Sequence, residues 1–393
     1  MIKRHLQKEL EKRIIQSDYE YNSNQSKNRP AIILYGPRQT GKTTLVNEIV
    51  KKYLDESKYI NCELIYNKVA LEASSESSLK SFLGNKKIIV LEEAQKISNI
   101  DIILKTIVDK NPEIQVIATA SSSFELINKK MDVLENSYKY LLYPFSLQEL
   151  CNDYDINSPD FIKNILRFGM YPDVFITLNS TSEEETKYKL DDILSNYLFR
   201  DILELENLKR SDLILKLLQT LALQVGKELS LNELATMLEV NNHTLARYIY
   251  LLEQNFIIFS LSSLSRNLKK EIGKKYKFYF YDLGIRNSII QNLNILDIRT
   301  DTEALWENFC LVERLKYNQS VSRSVNQYFW RTYDGQEVDY IEEAAGKLEG
   351  YKFKWSKEIK AFRPPKAFID SYENSSVKKI DQDIYLDFLS EKI

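Results

Sequence analysis

Between residues 36 and 43 the chain reads Gly-Pro-Arg-Gln-Thr-Gly-Lys-Thr. It is preceded by the apolar, β-branched run Pro30–Tyr35 and followed by Leu45-Val46-Asn47-Glu48-Ile49-Val50, which has helical spacing. A buried parallel strand, the spacing Gly-x4-Gly-Lys-Thr and a helix are the context a phosphate-binding loop requires. Gly36 and Gly41 permit the turn and the close approach of backbone N–H groups to an anion. The following helix aims its positive end at the same point. In this reading Lys42 reaches the β and γ oxygens of a nucleoside triphosphate and the Thr43 hydroxyl ligates Mg²⁺. The nucleotide-binding set is Gly36, Pro37, Arg38, Gln39, Thr40, Gly41, Lys42, Thr43 and Thr44. The chain holds only 10 glycines in 393 residues, which makes a chance match improbable.

Two later strands supply the remaining chemistry. Ile88-Ile89-Val90-Leu91 ends in Glu92-Glu93, a Walker B pattern. A carboxylate at such a strand end holds the Mg²⁺ shell, and the next one polarises the attacking water. Glu92 stands where Asp is usual, and its extra methylene moves the carboxylate outward by about 1 Å, within reach of water around the metal. Glu93 is the candidate catalytic base, with Lys42 and Ser121 as the other catalytic candidates. Glu113–Ser123 is another apolar strand, ending in the hydroxyls of Ser121-Ser122-Ser123. Ser121 or Ser122 could sense the γ-phosphate, and the same serines suit a helix N-cap; the two readings are compatible.

The length predicts two or three domains. A net charge of −2 gives no global basic field, so a nucleic-acid partner would need a local patch. Cys62, Cys151 and Cys310 are odd in number and far apart, which reads as reduced thiols; His5 and His243 lack Cys partners at zinc spacing. The charged N-terminus has no signal-peptide profile, and no apolar run approaches the roughly 20 residues of a membrane span. A cytoplasmic location is the expectation.

A local patch is present. Ser230-Leu231-Asn232-Glu233 has capping-box form and opens a helix. A helix at about 211–225 precedes it; Val240-Asn241-Asn242 makes a turn, and a third helix runs over 243–254. Strands at 256–259 and 277–281 complete a winged-helix pattern. A DNA-binding version would use Arg247 on the third helix and Lys269, Lys270, Lys274 and Lys275, with Arg266 and Lys277, on the hairpin. A solvated basic hairpin on a docking or linker domain is the alternative.

Together, Gly-Pro-Arg-Gln-x-Gly-Lys-Thr, Glu93-Ala94-Gln95-Lys96-Ile97, Ala118-Thr119 with Ser121-Ser122-Ser123-Phe124-Glu125-Leu126, Tyr143-Pro144-Phe145-Ser146-Leu147, Phe168-Gly169-Met170-Tyr171-Pro172, Phe199-Arg200-Asp201, Lys277–Asn287 and Phe329-Trp330-Arg331-Thr332 resemble the prokaryotic AAA-family ATPases with a C-terminal domain of unknown function. The resemblance spans nearly the whole chain and implies ATP rather than GTP. It also departs from the family. Glu92 replaces Asp, Ala120 replaces Gly, and Glu135-Asn136 stands where Gly-Arg is usual. An arginine on the γ-phosphate is worth about 10³–10⁵ in rate, so binding is expected to survive while hydrolysis slows. Arg167 and Arg200 are the candidate substitutes.

The family's last domain is similar to the PD-(D/E)XK nuclease fold. Glu307 on the helix 302–317 and Asp339 on a strand fit its acidic positions. Its Glu-x-Lys pair falls at 352 and 354, where the chain has Lys352 and Lys354, so the metal site reads as broken. The expected fold class is α/β: a P-loop NTPase parallel sheet with helical lid over 1–205, an α-helical/winged-helix domain over 206–290, and an α/β nuclease-like domain over 291–393. The expected function is an ATPase or ATP-driven switch acting on DNA or a protein. The alternatives are a low-turnover ATP-gated scaffold and, third, an active DNA nuclease. The oligomeric state is left open.

Overall fold

Five short apolar segments build the first sheet: β1 (Ala31–Tyr35), β2 (Ser57–Asn61), β3 (Ile88–Glu92), β4 (Gln115–Ala120) and β5 (Ser137–Leu141). The computed structural model describes residues 2–23, 28–72, 75–122, 137–198, 211–265, 275–356 and 362–389. These fall into two compact units, residues 1–145 with 254–256, and residues 146–253 with 257–393.

In the first unit all five strands are parallel, in the order β2-β3-β4-β1-β5. Parallel strands covered on both faces must be apolar throughout, which is why these segments read as continuous runs. Side chains alternate between the faces. Ile33, Ile89, Leu91, Val116 and Ala118 pack with Leu104 and Ile107 of the helix Ile100–Lys110. Ile32, Leu34, Val90 and Ile117 pack with Leu45, Val46 and Ile49 of the helix Lys42–Val50. The charged N-terminus is also a helix, His5–Asn22, and places Leu10 and Ile14 on that second face. Parallel pairing puts the ends of β1, β3 and β4 on one edge of the sheet, with β4 between the other two.

In the second unit the helix Ser211–Leu223, β6 (Glu228–Ser230), the helices Leu231–Met237 and Asn242–Gln254, β7 (Ile258–Ser263) and β8 (Lys275–Phe280) follow in order. The capping box of Ser230 with Glu233 is formed. The helix Thr302–Ser320 precedes β9 (Asn326–Arg331), β10 (Glu337–Ala344), β11 (Lys347–Phe353) and β12 (Ser375–Ile380). These seven strands form one sheet, β12-β11-β10-β9-β7-β8-β6, mostly antiparallel, with β7–β9 and β11–β12 parallel. A boundary at 290 therefore cuts a sheet that contacts leave whole, because β7 pairs with β9 across it. The boundary at 205 lies outside the described residues. Among the described residues no helix is long and apolar enough to cross a membrane.

Candidate functional site

The loop after β1 closes tightly. Gly36 has φ 146°, and a Cβ there would lie 2.3 Å from the carbonyl oxygen of Leu142, so only glycine fits. Gly41, at φ 90°, caps the helix Lys42–Val50. The Thr40 hydroxyl donates to Pro37 O at 2.9 Å. Lys42 is 5 % exposed, and its ammonium crosses the loop, donating to Gly36 O at 2.8 Å and Pro37 O at 2.7 Å. A buried cation that bonds carbonyls inside the loop is placed where an incoming phosphate would meet it.

The carboxylates predicted from β3 stand beside this loop. Thr43 donates its hydroxyl to Glu92. Two hard oxygen ligands side by side suit Mg²⁺. Glu93 has a left-handed backbone, φ 52°, which turns its side chain at the strand end. Its N–H donates to Thr119 Oγ1 at 3.2 Å. Its carboxylate accepts from Ser121 Oγ at 2.6 Å and from Gln95 Nε2 at 2.6 Å. Arg38 Nη2 lies 4.0 Å from Glu93 and 3.4 Å from Glu63. Ser121 thus bonds the candidate base, a contact the sensor reading did not include. Burial, then the Glu92 charge and hydrogen bond, raise the Tyr59 phenol above its ordinary range. Burial with Glu92 and Glu93 pushes the Cys62 thiol up to about 12. Tyr59 went unnoticed in the sequence because it belongs to no motif, and Gln95 stood in the Glu93–Ile97 run without a role of its own.

Of the arginines proposed to replace a missing finger, Arg167 is engaged elsewhere. Its guanidinium is bidentate to Glu183, at 3.0 and 2.9 Å, and also donates to Leu293 O at 3.2 and 3.1 Å. It links Glu183 and Leu293 within the second unit rather than standing free as a substitute finger. Arg200, and Glu135-Asn136, lie outside the described residues.

The second unit gathers a charged cluster. Lys277, expected on a solvated hairpin, is 1 % exposed. Its ammonium lies 2.6 Å from Glu337, 3.3 Å from Glu307 and 3.9 Å from Asp339. This corrects its assignment as a phosphate contact: β8 sends Lys277 into a ring of carboxylates. Lys352 bonds Asp339, whose other oxygen accepts from Phe353 N at 2.9 Å. Tyr279 donates to Glu307 at 2.6 Å. Burial, followed by the Glu307 charge, raises the Asp339 carboxyl to about 7. Burial would raise Glu337 too, but Lys277 and Lys352 hold it below the usual range. Glu307, Asp339 and Lys352 are thus together, while Lys354 lies past the end of β11. Glu349, three residues before Lys352, pairs with Arg323 and Lys347. Among the described residues no group of three or more His, Cys, Asp or Glu side chains could hold a metal ion. Arg247 is exposed on the helix Asn242–Gln254. Lys275 pairs with Glu228 at 3.5 Å. Arg266, Lys269, Lys270 and Lys274 lie outside the described residues.

A parallel sheet with a glycine loop and helix N-terminus after one strand, and paired carboxylates two strands away, defines a P-loop NTPase domain. Residues 28–151 match the family model of the AAA domain, so this part of the chain is a P-loop domain of the AAA type. Residues 159–296 and 302–384 match two domains of unknown function, DUF8612 and DUF4143. An uncharacterized protein of Mycobacterium tuberculosis is 26% identical over 329 residues, covering 83% of this chain and 70% of that protein. An uncharacterized protein of Methanocaldococcus jannaschii is 22% identical over 314 residues, covering 72% and 70%. Among solved structures, the Aeropyrum pernix ORC1 protein in complex with DNA is 15% identical, with a TM-score of 0.37, covering 72% of this chain and 92% of that one. The Thermotoga maritima RuvB Holliday junction branch migration motor is 17% identical, with a TM-score of 0.35, covering 68% and 93%.

Proposed function

We propose that the first unit binds Mg²⁺-ATP and hydrolyses it slowly, switching the second unit between states that differ in affinity for DNA or a protein. The observation that carries this reading is the convergence of Lys42, Thr43, Glu92, Glu93 and Ser121 on one sheet edge. Lys42 and the loop N–H groups bind the phosphates, and Thr43 with Glu92 would hold Mg²⁺, which would neutralise charge on the β and γ oxygens. Glu93, oriented by Ser121 and Gln95, takes the proton of the attacking water. Adenine preference rests on the family resemblance. The test is Mg²⁺-dependent ATP hydrolysis by the purified protein, with Lys42→Ala as control. Turnover above the control supports a switch that cycles.

A second reading is a binding scaffold that turns over little. It is favoured by Glu92 in place of Asp and by the engagement of both Glu93 oxygens. Equal turnover in wild type and Lys42→Ala, with nucleotide still bound by the wild type, would select it. The winged-helix reading of the second unit assigns the output to the helix Asn242–Gln254 and the β7–β8 hairpin, through Arg247, Lys269, Lys270, Lys274 and Lys275. Nuclease chemistry is not part of the proposal, because Lys277 and Lys352 already neutralise the carboxylates it would use.

A further inference from the structure

Arg4 stands ahead of the helix His5–Asn22, far from every motif, yet it touches the phosphate-binding loop. Its Nη1 donates to Thr40 O at 2.6 Å and its Nη2 to Tyr143 O at 2.6 Å. The guanidinium carbon lies 5.0 Å from the centroid of the Phe145 ring. A planar fork is needed to serve two carbonyls and stack on a ring at once, which arginine supplies and lysine does not.

The Thr40 carbonyl belongs to the peptide unit that carries the N–H of Gly41. In a trans peptide these two groups point in opposite directions, and no described peptide bond is cis. With the carbonyl tied to Arg4, the Gly41 N–H is turned away from Arg4 and joins the donors at the N-terminus of the helix Lys42–Val50. A hydrogen bond to the carbonyl also polarises the peptide, which makes its N–H a stronger donor. The guanidinium adds charge close by, since a Cβ on Gly41 would lie 3.8 Å from Nη1. The other anchor is firm. Leu142 N donates to Tyr35 O at 2.7 Å, and Leu142 O abuts Gly36. The segment 142–145 therefore backs the loop, and Arg4 spans from it to the loop's far end.

We propose that Arg4 is a positioning residue for the phosphate chain: it holds the Thr40–Gly41 peptide so that the Gly41 N–H faces a bound phosphate. The inference rests on the reading of the loop as a nucleotide site, and its test separates the two. Affinities of full-length wild type, Arg4→Gln, Arg4→Lys and Lys42→Ala for fluorescent ADP and ATP are measured with Mg²⁺, together with unfolding midpoints with and without saturating ADP. Arg4→Gln should weaken both nucleotides by about tenfold or more, the loss expected for one charged hydrogen bond. Arg4→Lys should recover part of it, keeping the charge but not the fork. A role in stability alone would lower the midpoints in parallel and leave the affinity of the folded protein at the wild-type value, and that result overturns the proposal. Should Arg4→Gln fail to fold, wild-type affinity in Arg4→Lys overturns it equally. Lost binding in Lys42→Ala with wild-type affinity in both Arg4 variants removes Arg4 alone. Wild-type affinity in Lys42→Ala removes the nucleotide reading and this inference with it.

Discussion

The hydroxyl of Ser121, at the end of β4, donates to Glu93 Oε1 at 2.6 Å, so the carboxylate that best fits a general base is aimed by the neighbouring strand. Removing the carboxylate and removing its support should differ in degree. Glu93→Gln is expected to lower ATP turnover by about 10²–10⁴, the usual share of a general base. Ser121→Ala keeps the base and loses one charged hydrogen bond, so a loss of about tenfold is expected. Neither should change nucleotide affinity by more than about twofold. Steady-state turnover and equilibrium titration on the same samples check both halves.

Glu92 accepts from Thr43 directly. Glu92→Asp withdraws the carboxylate by about 1 Å and leaves room between it and the Thr43 hydroxyl. Faster turnover with Mg²⁺ is expected, by a factor of a few. Slower turnover would show that this chain has adapted its metal shell to the longer side chain.

Lys277 is buried against Glu307, Glu337 and Asp339. Lys277→Met keeps the stem and leaves Glu307, Glu337 and Asp339 without their buried cation, while Lys352 stays beside Asp339 and Glu337. Removing one partner of such a group costs about 3–5 kcal/mol. Urea unfolding should show this loss, and adding Asp339→Asn to Lys277→Met should restore part of it. A change within about 0.5 kcal/mol would place Lys277 in water and contradict the burial.

The Asp339 carboxyl, raised to about 7 chiefly by burial, gives a signed pH dependence. An unfolded Asp titrates near 3.9. Between about pH 4 and 7 the folded protein holds the Asp339 proton more tightly than the unfolded chain, so this group's contribution to stability falls as pH rises. Asp339→Asn removes that fall. Unfolding midpoints across this window should decline less with pH, or rise more, in the variant than in the wild type.

Much of the first unit was legible because its signals are local. The strand, the glycine loop and the helix start lie within some 20 consecutive residues, and β3 and β4 end in polar residues for the reason that places them at the site. Arg4 was not legible: its partners lie 36 and 139 residues away, and a single arginine in a charged helix-like segment carries no pattern. Lys277 misled because it closes the basic run from Arg266, which reads as one solvated hairpin patch. Which face of β8 meets acids was decided by Glu307 on a helix and Glu337 and Asp339 on another strand, partners that strand periodicity does not reveal. Arg167 misled likewise, since its bond to Glu183 joins two helices that are separated in the chain by a third, Pro172–Ser180.

The central claim is that the loop at Gly36–Thr43 holds a nucleoside triphosphate, and calorimetric titration of the full-length protein with Mg²⁺-ATP tests it most directly. Saturable binding near one nucleotide per chain is expected in the wild type, weakened by about a hundredfold or more in Lys42→Ala, whose variant loses the buried cation that meets the phosphates. Binding of equal affinity in both proteins, or no binding in the wild type, would contradict the account.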